Sequence, residues 1–309
     1  MQNSILRTLH YFDMFAYPLT REELYRFLWR PPALSYGEFS DYLDQIVIPG
    51  VNESDGYYFL SSHQENISVR NLGLVQSETR LRRARTAAKL LRLIPFLKAI
   101  FVCNTVAAGT ANDQSDIDFF IVSASKRVWI VRLFSNLILR FFGLRTYNTK
   151  TANRVCLSFF VDEKHLDLSS LRVADDDVHF AYWVYQMVPI YDPDKIHERF
   201  LRLNQWIKIF LPHAYDRHDY EYTKKVTKGN ATQVWRWVWE TAWQGWYGDK
   251  LEMQARELQK SRLKWKIVKK IESSDNGVVL SEGVIKLHEN DTRTKLRAVW
   301  KKRIANFNV

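Results

Sequence analysis

The 309-residue sequence predicts a mixed α/β fold of the α+β kind, in three parts. A compact, mostly helical unit occupies 1–75, a core with a small sheet and flanking helices 76–174, and a mostly helical, basic part 175–309. Three observations predict this. Helix-start signals crowd the first forty residues. Apolar, β-favouring runs then alternate with a helical segment, the order of a partly parallel sheet. From about 175 helical patterns dominate and basic residues accumulate. A hydrophobic fraction of 46% and an aromatic fraction of 14% fit a folded chain, not a disordered one.

Taken in order, Ile5, Leu6, Leu9, Phe12 and Phe15 form a helical stripe that Tyr17-Pro18-Leu19 breaks. Thr20-x-x-Glu23 and Ser35-x-x-Glu38 are capping-box patterns opening two further helices. IVIPGVNESDGYYFL then reads as two strands around an Asp55-Gly56 turn. Three helices followed by a hairpin is the order of a winged helix. The segment holds 5 Arg and no Lys against 9 acids, a net charge of −4, which argues against phosphate contacts. A packing or protein-interaction module is the better reading.

SETRLRRARTAAKLLRLI is a basic helix closed by Pro95. LKAIFVCNTV is a strand, FFIVS a second and NRVCLSFFVDE a third. Between the last two, Trp129–Leu144 reads as a buried or interfacial helix, because it is short for a membrane span and carries Arg132 and Arg140. No other candidate span exists, and the N-terminus lacks the pattern of a signal peptide. Cys103 and Cys156 read as small buried hydrophobes in a reducing compartment. A cytoplasmic protein without a transmembrane segment is expected.

Asp175 or Asp176 is expected to cap a helix through HFAYWVYQM to Pro189. Asp192-Pro193 signals a helix reaching Phe210. A tryptophan-rich stretch after Gly229-Asn230 and the basic segment LEMQARELQKSRLKWKIVKK follow as helices. VVLSEGVIKLH reads as a hairpin around Glu282-Gly283, and Thr292–Asn306 as a final basic helix. Residues 224–309 hold 19 basic and 9 acidic residues, most of the chain's +11. That surplus suits an anionic partner such as nucleic acid, nucleotide phosphates or a membrane surface, or else forms a solvated face.

The chemistry concentrates in NTVAAGTANDQSDIDFFIV, residues 104–122. Asp116 and Asp118, at i and i+2, project from one face of an extended strand. Two convergent carboxylates repel one another when buried, and a hard divalent cation removes that cost. The surrounding pattern resembles the nucleotidyltransferase superfamily, the group with a DNA-polymerase-β-like core, in a divergent bacterial-type form. Its motif is an apolar strand, a Gly-Ser pair, about ten residues with a glycine, then Ser-Asp-x-Asp entering a strand. Here IFVC is the strand, Asn104-Thr105 stands in the Gly-Ser place, Gly109 is the internal glycine, and Ser115-Asp116-Ile117-Asp118 completes the motif.

The resemblance implies Mg²⁺ (or Mn²⁺) on Asp116 and Asp118, and a nucleoside triphosphate cradled by Asn104, Thr105, Gly109 and Ser115. Nucleotidyl transfer to an acceptor (a small molecule, protein or RNA) with pyrophosphate release would follow; the alternative is a degenerate nucleotide-binding or interaction module. A third carboxylate is expected on RVCLSFFVDE. Cys156, Ser158, Phe160 and Asp162 share one face there, making Asp162 the expected acid, with Ser158 in the usual acid's place and Asp167 as substitute. Lys126, Arg127 and Arg132 follow the acid-bearing strand, where cations meet phosphates. Lys286, His288, Asp291 and Arg293 form a polar cluster that could bind acceptor or nucleotide, or merely decorate a hairpin. The tryptophans at 235, 237, 239, 243 and 246 could stack on bases, but their crowding favours core or an interface. The histidines show no metal-ligand spacing with cysteine and read as structural.

Overall fold

In a computed structural model, the acid-bearing segment lies within a six-stranded mixed sheet covered by helices on both faces. The structure describes residues 1–61, 63–215, 224–263, 277–287 and 291–305. Helices α1 (Gln2–Asp13), α2 (Arg21–Phe27) and α3 (Tyr36–Gln45) form as expected. Thr20 and Ser35 each make the reciprocal capping box that their sequences call for. Strands β1 (Leu19–Thr20), β2 (Val51–Ser54) and β3 (Tyr57–Leu60) form an antiparallel sheet in the order β1-β3-β2. Asp55 and Gly56 are both left-handed, which suits a two-residue hairpin turn.

Helix α4 (Asn66–Leu91) runs unbroken across the boundary expected at 75/76. Strand β4 (Leu97–Cys103) leads through the short helix α5 (Asn104–Ala107) to β5 (Ile117–Ser123). Helix α6 (Val128–Phe141) connects β5 to β6 (Val155–Asp162), and these two strands pair in parallel. The chain continues through α7 (Val178–Tyr185), β7 (Val188–Tyr191), α8 (Ile196–Leu203), α9 (Asn230–Ala242) and α10 (Gly245–Lys260). It ends in the hairpin β8 (Val278–Ser281) and β9 (Val284–Leu287), followed by α11 (Arg293–Ala305).

The large sheet runs β7-β4-β5-β6-β9-β8. Both outer additions come from the C-terminal part. β7 holds Pro189 in an edge strand, where the missing N–H is tolerated, and β9 pairs with β6. Two local expectations need correction. The cap of α7 is Asp177, whose carboxylate accepts from Phe180 N–H, not Asp175 or Asp176. The helix expected from Pro193 to Phe210 begins instead at Ile196 and ends at Leu203, followed by a 3-10 stretch. Asp192 still accepts from the N–H groups of Ile196 and His197. The rest of the basic segment beyond Leu263, and Asn306, lie outside the described residues.

Alternation sorts the sheet's side chains into two cores. Phe101, Phe120 and Phe159 face α7, α8 and the N-terminal helices, while Ile100, Val102, Phe119 and Ile121 face α4, α6 and α10. A register shift in β6 interrupts the pattern. Asp118 pairs with Cys156 but Phe120 pairs with Phe159, so three residues of β6 match two of β5. Such a bulge reverses which parity faces which side. Cys156 and Phe160 therefore do not share a face, contrary to the regular alternation expected: Phe160 is in the opposite core. No described helix is long and apolar enough to cross a membrane.

Candidate functional site

Asp116 and Asp118 open into a cavity of about 420 Å³ to which all three sequence segments contribute. Its walls come from α1 and the turn after it (Tyr11, Phe15), the β4–α5 turn (Asn104, Thr105), α7 (His179, Trp183) and the entry to α11 (Asp291, Arg293). β5 lies between β4 and β6, so Asp118 is flanked in register by Cys103 and Cys156. Ligand atoms of Asp116, Asp118 and Cys156 lie within 4.8 Å of one another.

Asn104 adopts the left-handed conformation, φ 58°, that a glycine would otherwise take at this turn. Its Oδ1 accepts from Trp183 Nε1 at 2.6 Å, and its side chain also hydrogen-bonds Asp118. Thr105 is exposed on the cavity wall. Ser115 lines the cavity too, and its Oγ accepts from Asn112 N–H at 2.9 Å. Arg80, 1% exposed, fixes this loop from behind by donating to the carbonyls of Ser115 and Asn112.

Burial, and then the charge of Asp116, pushes the Asp118 carboxyl up to about 7. Burial also raises Asp116, against hydrogen bonding from Cys156 and the nearby charge of Arg145. The Cys156 thiol is pushed up by burial and by both carboxylates. A proton or a cation at this spot relieves the same strain. On the far wall Lys286 and Arg293 converge on Asp291 at 2.9 and 2.7 Å, and Arg293 reaches Asp177 at 3.4 Å. Burial and Arg293 lower the Lys286 ammonium. Burial opposes ionisation of Asp291 as well, but hydrogen bonds from Arg293 and the charge of Lys286 hold it well below the usual carboxylate range. His179, lowered to about 4 by burial and by Arg293, is neutral at pH 7, its Nδ1 2.9 Å from the Tyr11 hydroxyl.

No family model, curated protein or solved structure matches the chain.

Asn104, Thr105, Ser115, Asp116 and Asp118 are thus brought together, and four expected site residues are not. Asp162 pairs with Ser123, at the opposite end of β5 from Asp118. Its buried carboxylate accepts from the N–H groups of Lys126 and Lys164 and pairs with His165, so it serves the β6 exit turn. Lys126 is exposed at that same distant end. Arg132 faces α10, donating to Gln259 at 2.7 Å, and burial lowers it to about 10. Gly109 stands behind the wall: its left-handed backbone (φ +73°) packs so closely that an added Cβ would meet Leu74 at 2.9 Å.

Of the other candidates, Asp167 is exposed and accepts from Ser169 N–H. Arg127 pairs with Asp249 of α10. Lys286, Asp291 and Arg293 do reach the cavity, whereas His288 and His218 lie outside the described residues. Trp235, Trp237 and Trp246 are at least half exposed, whereas Trp239 and Trp243 are half-buried and Trp243 stacks on Phe134 of α6, so the stretch meets the core along one edge only. Sequence reasoning missed Cys156, Arg145, Trp183, His179 and Tyr11 as parts of the site. Only Cys156 carried a usable signal, a polarisable side chain on the strand expected to pair with the acids.

Proposed function

We propose that this chain binds a nucleoside triphosphate with Mg²⁺ (or Mn²⁺) in the cavity and transfers the nucleoside monophosphate to an acceptor, releasing pyrophosphate. The observation that carries the reading is the convergence of Asp116 and Asp118 beside the Asn104-Thr105 turn, in one cavity large enough for a small ligand. The donor set fits the ion, because Mg²⁺ takes one or two carboxylates and completes its shell with water and phosphate oxygens. When bound, the ion would supply charge that offsets the phosphates and polarises the phosphorus. Asp116 and Asp118 would hold it. Asn104 fixes the Asp118 carboxylate and the Trp183 ring together, and Thr105 lines the ligand space beside them. On this reading the central sheet is a nucleotidyltransferase-like core and the N-terminal unit is winged-helix-like, used for protein contacts. The basic surplus after residue 224 would meet an anionic partner, and the two free cysteines suit a reducing cytoplasm.

One observation favours a second reading, nucleotide binding without turnover. Cys156 pairs with Asp118 on the strand where the resemblance implies a third carboxylate, and no carboxylate on β6 joins the pair. Thermal unfolding with and without nucleoside triphosphates and Mg²⁺ or Mn²⁺ tests both. Stabilisation that disappears in Asp116→Ala/Asp118→Ala supports nucleotide binding, and its absence from the wild type overturns both readings. Labelled product or pyrophosphate release then favours transfer; stabilisation without either favours the second reading.

A further inference from the structure

We propose that Cys156 is the third ligand of the Asp116–Asp118 site and gives it a preference for thiophilic divalent ions (Zn²⁺, Co²⁺, Cd²⁺) over Mg²⁺. The inference rests on the metal part of the reading above and goes beyond it in the identity of the ion. Donors bound tetrahedrally to one ion at about 2.0–2.3 Å lie roughly 3.3–3.8 Å from one another. Donor atoms of the three residues already lie within 4.8 Å, so a side-chain adjustment closes the set.

Backbone geometry aims the sulfur there. Cys156 is the register partner of Asp118, and cross-strand partners project from the same side of a sheet. The bulge that follows turns Phe160 to the other core while leaving Cys156 on the carboxylate side. The neighbouring Cys103 is placed differently, its thiol donating to the backbone carbonyl of Asp118 at 3.6 Å. Among the described residues, these three are the only His, Cys, Asp or Glu set arranged to share an ion.

Donor chemistry then decides the ion. Mg²⁺ takes hard oxygen ligands, whereas a thiolate selects Zn²⁺, Co²⁺ or Cd²⁺, and the Irving–Williams order places Co²⁺ and Zn²⁺ above Mn²⁺. On binding, the sulfur–hydrogen bond of Cys156 breaks, its proton passes to solvent, and the thiolate pair forms the sulfur–metal bond. Arg145 borders the sulfur, hydrogen-bonding Cys156, and would share the thiolate charge. Two carboxylates and one thiolate leave further positions open to water or a phosphate oxygen, as in metal sites that act on a substrate.

Titrating the metal-free full-length protein with Co²⁺ tests this. A sulfur-to-cobalt charge-transfer band saturating at one equivalent is expected, kept in Cys103→Ser and abolished in Cys156→Ser. Zn²⁺ affinity should fall in Cys156→Ser by at least the roughly 10–100-fold that loss of an outer-shell partner costs. Asp116→Asn, which keeps the sulfur and the side-chain shape, should weaken the band's saturation in the same direction. Bound Co²⁺ without a charge-transfer band in the wild type, or a band that survives in Cys156→Ser, overturns the proposal. Failure here is distinguishable from failure of the nucleotide reading: Mg²⁺-nucleotide stabilisation surviving in Cys156→Ser leaves that reading intact. A cobalt band without any nucleotide effect would leave the metal site and remove the nucleotide.

Discussion

Replacing Asp118 by Asn should stabilise the metal-free protein at alkaline pH. Burial, then the charge of Asp116, raises the Asp118 carboxyl from 3.8 to about 7 in the folded state. A folded pKa above the unfolded value stabilises fully below the unfolded value, and that contribution is lost as pH rises through 7. A difference of about three pH units corresponds to about 4 kcal/mol. That is an upper figure, because Asp116 shares the titration. Asparagine keeps the shape and the contact with Asn104 but cannot ionise. In urea unfolding with a chelator present, Asp118→Asn and wild type should be close at pH 4. At pH 8 the variant should be more stable by up to about 4 kcal/mol. Adding a divalent cation at pH 8 should narrow the gap by stabilising only the wild type. A variant that is no more stable at pH 8, or whose advantage does not grow between pH 4 and pH 8, would refute the electrostatic reasoning.

Asp162→Asn should cost about 1–3 kcal/mol in the same assay, because three donors lose a charged acceptor. It should leave nucleotide-dependent stabilisation unchanged, since the residue sits at the far end of β5 and β6. Gly109→Ala should destabilise by about 1–2 kcal/mol or more from the left-handed backbone alone, with the Leu74 contact adding to it. Arg80→Met should leave the carbonyls of Ser115 and Asn112 without their charged donor and cost about 1.5–3 kcal/mol per bond. Thermal shifts with and without nucleotide should show its effect at the site, because that loop carries Ser115 and Asp116.

The chain's own pattern was enough to locate the acids and most of their immediate frame. Capping boxes at Thr20 and Ser35, the Asp55-Gly56 turn and the apolar runs of β4, β5 and β6 are local signals, set by spacing and backbone preference. The same holds for Asp116 and Asp118 sharing a face, because period-two alternation needs no partner strand. Asn104 could be aligned with the motif's glycine from the sequence, and asparagine tolerates the left-handed φ of 58° found there. What the third group at the site would be was not legible. It depended on a bulge between Cys156 and Phe159, and a bulge depends on how one strand registers against another. Without it, alternation pointed to Asp162, which the full register leaves at the opposite end of the strand. Likewise only packing brought Lys286, Asp291 and Arg293, more than a hundred and sixty residues further along the chain, to the wall facing the acids. Local sequence fixes where a side chain can point; strand pairing and burial decide what it meets.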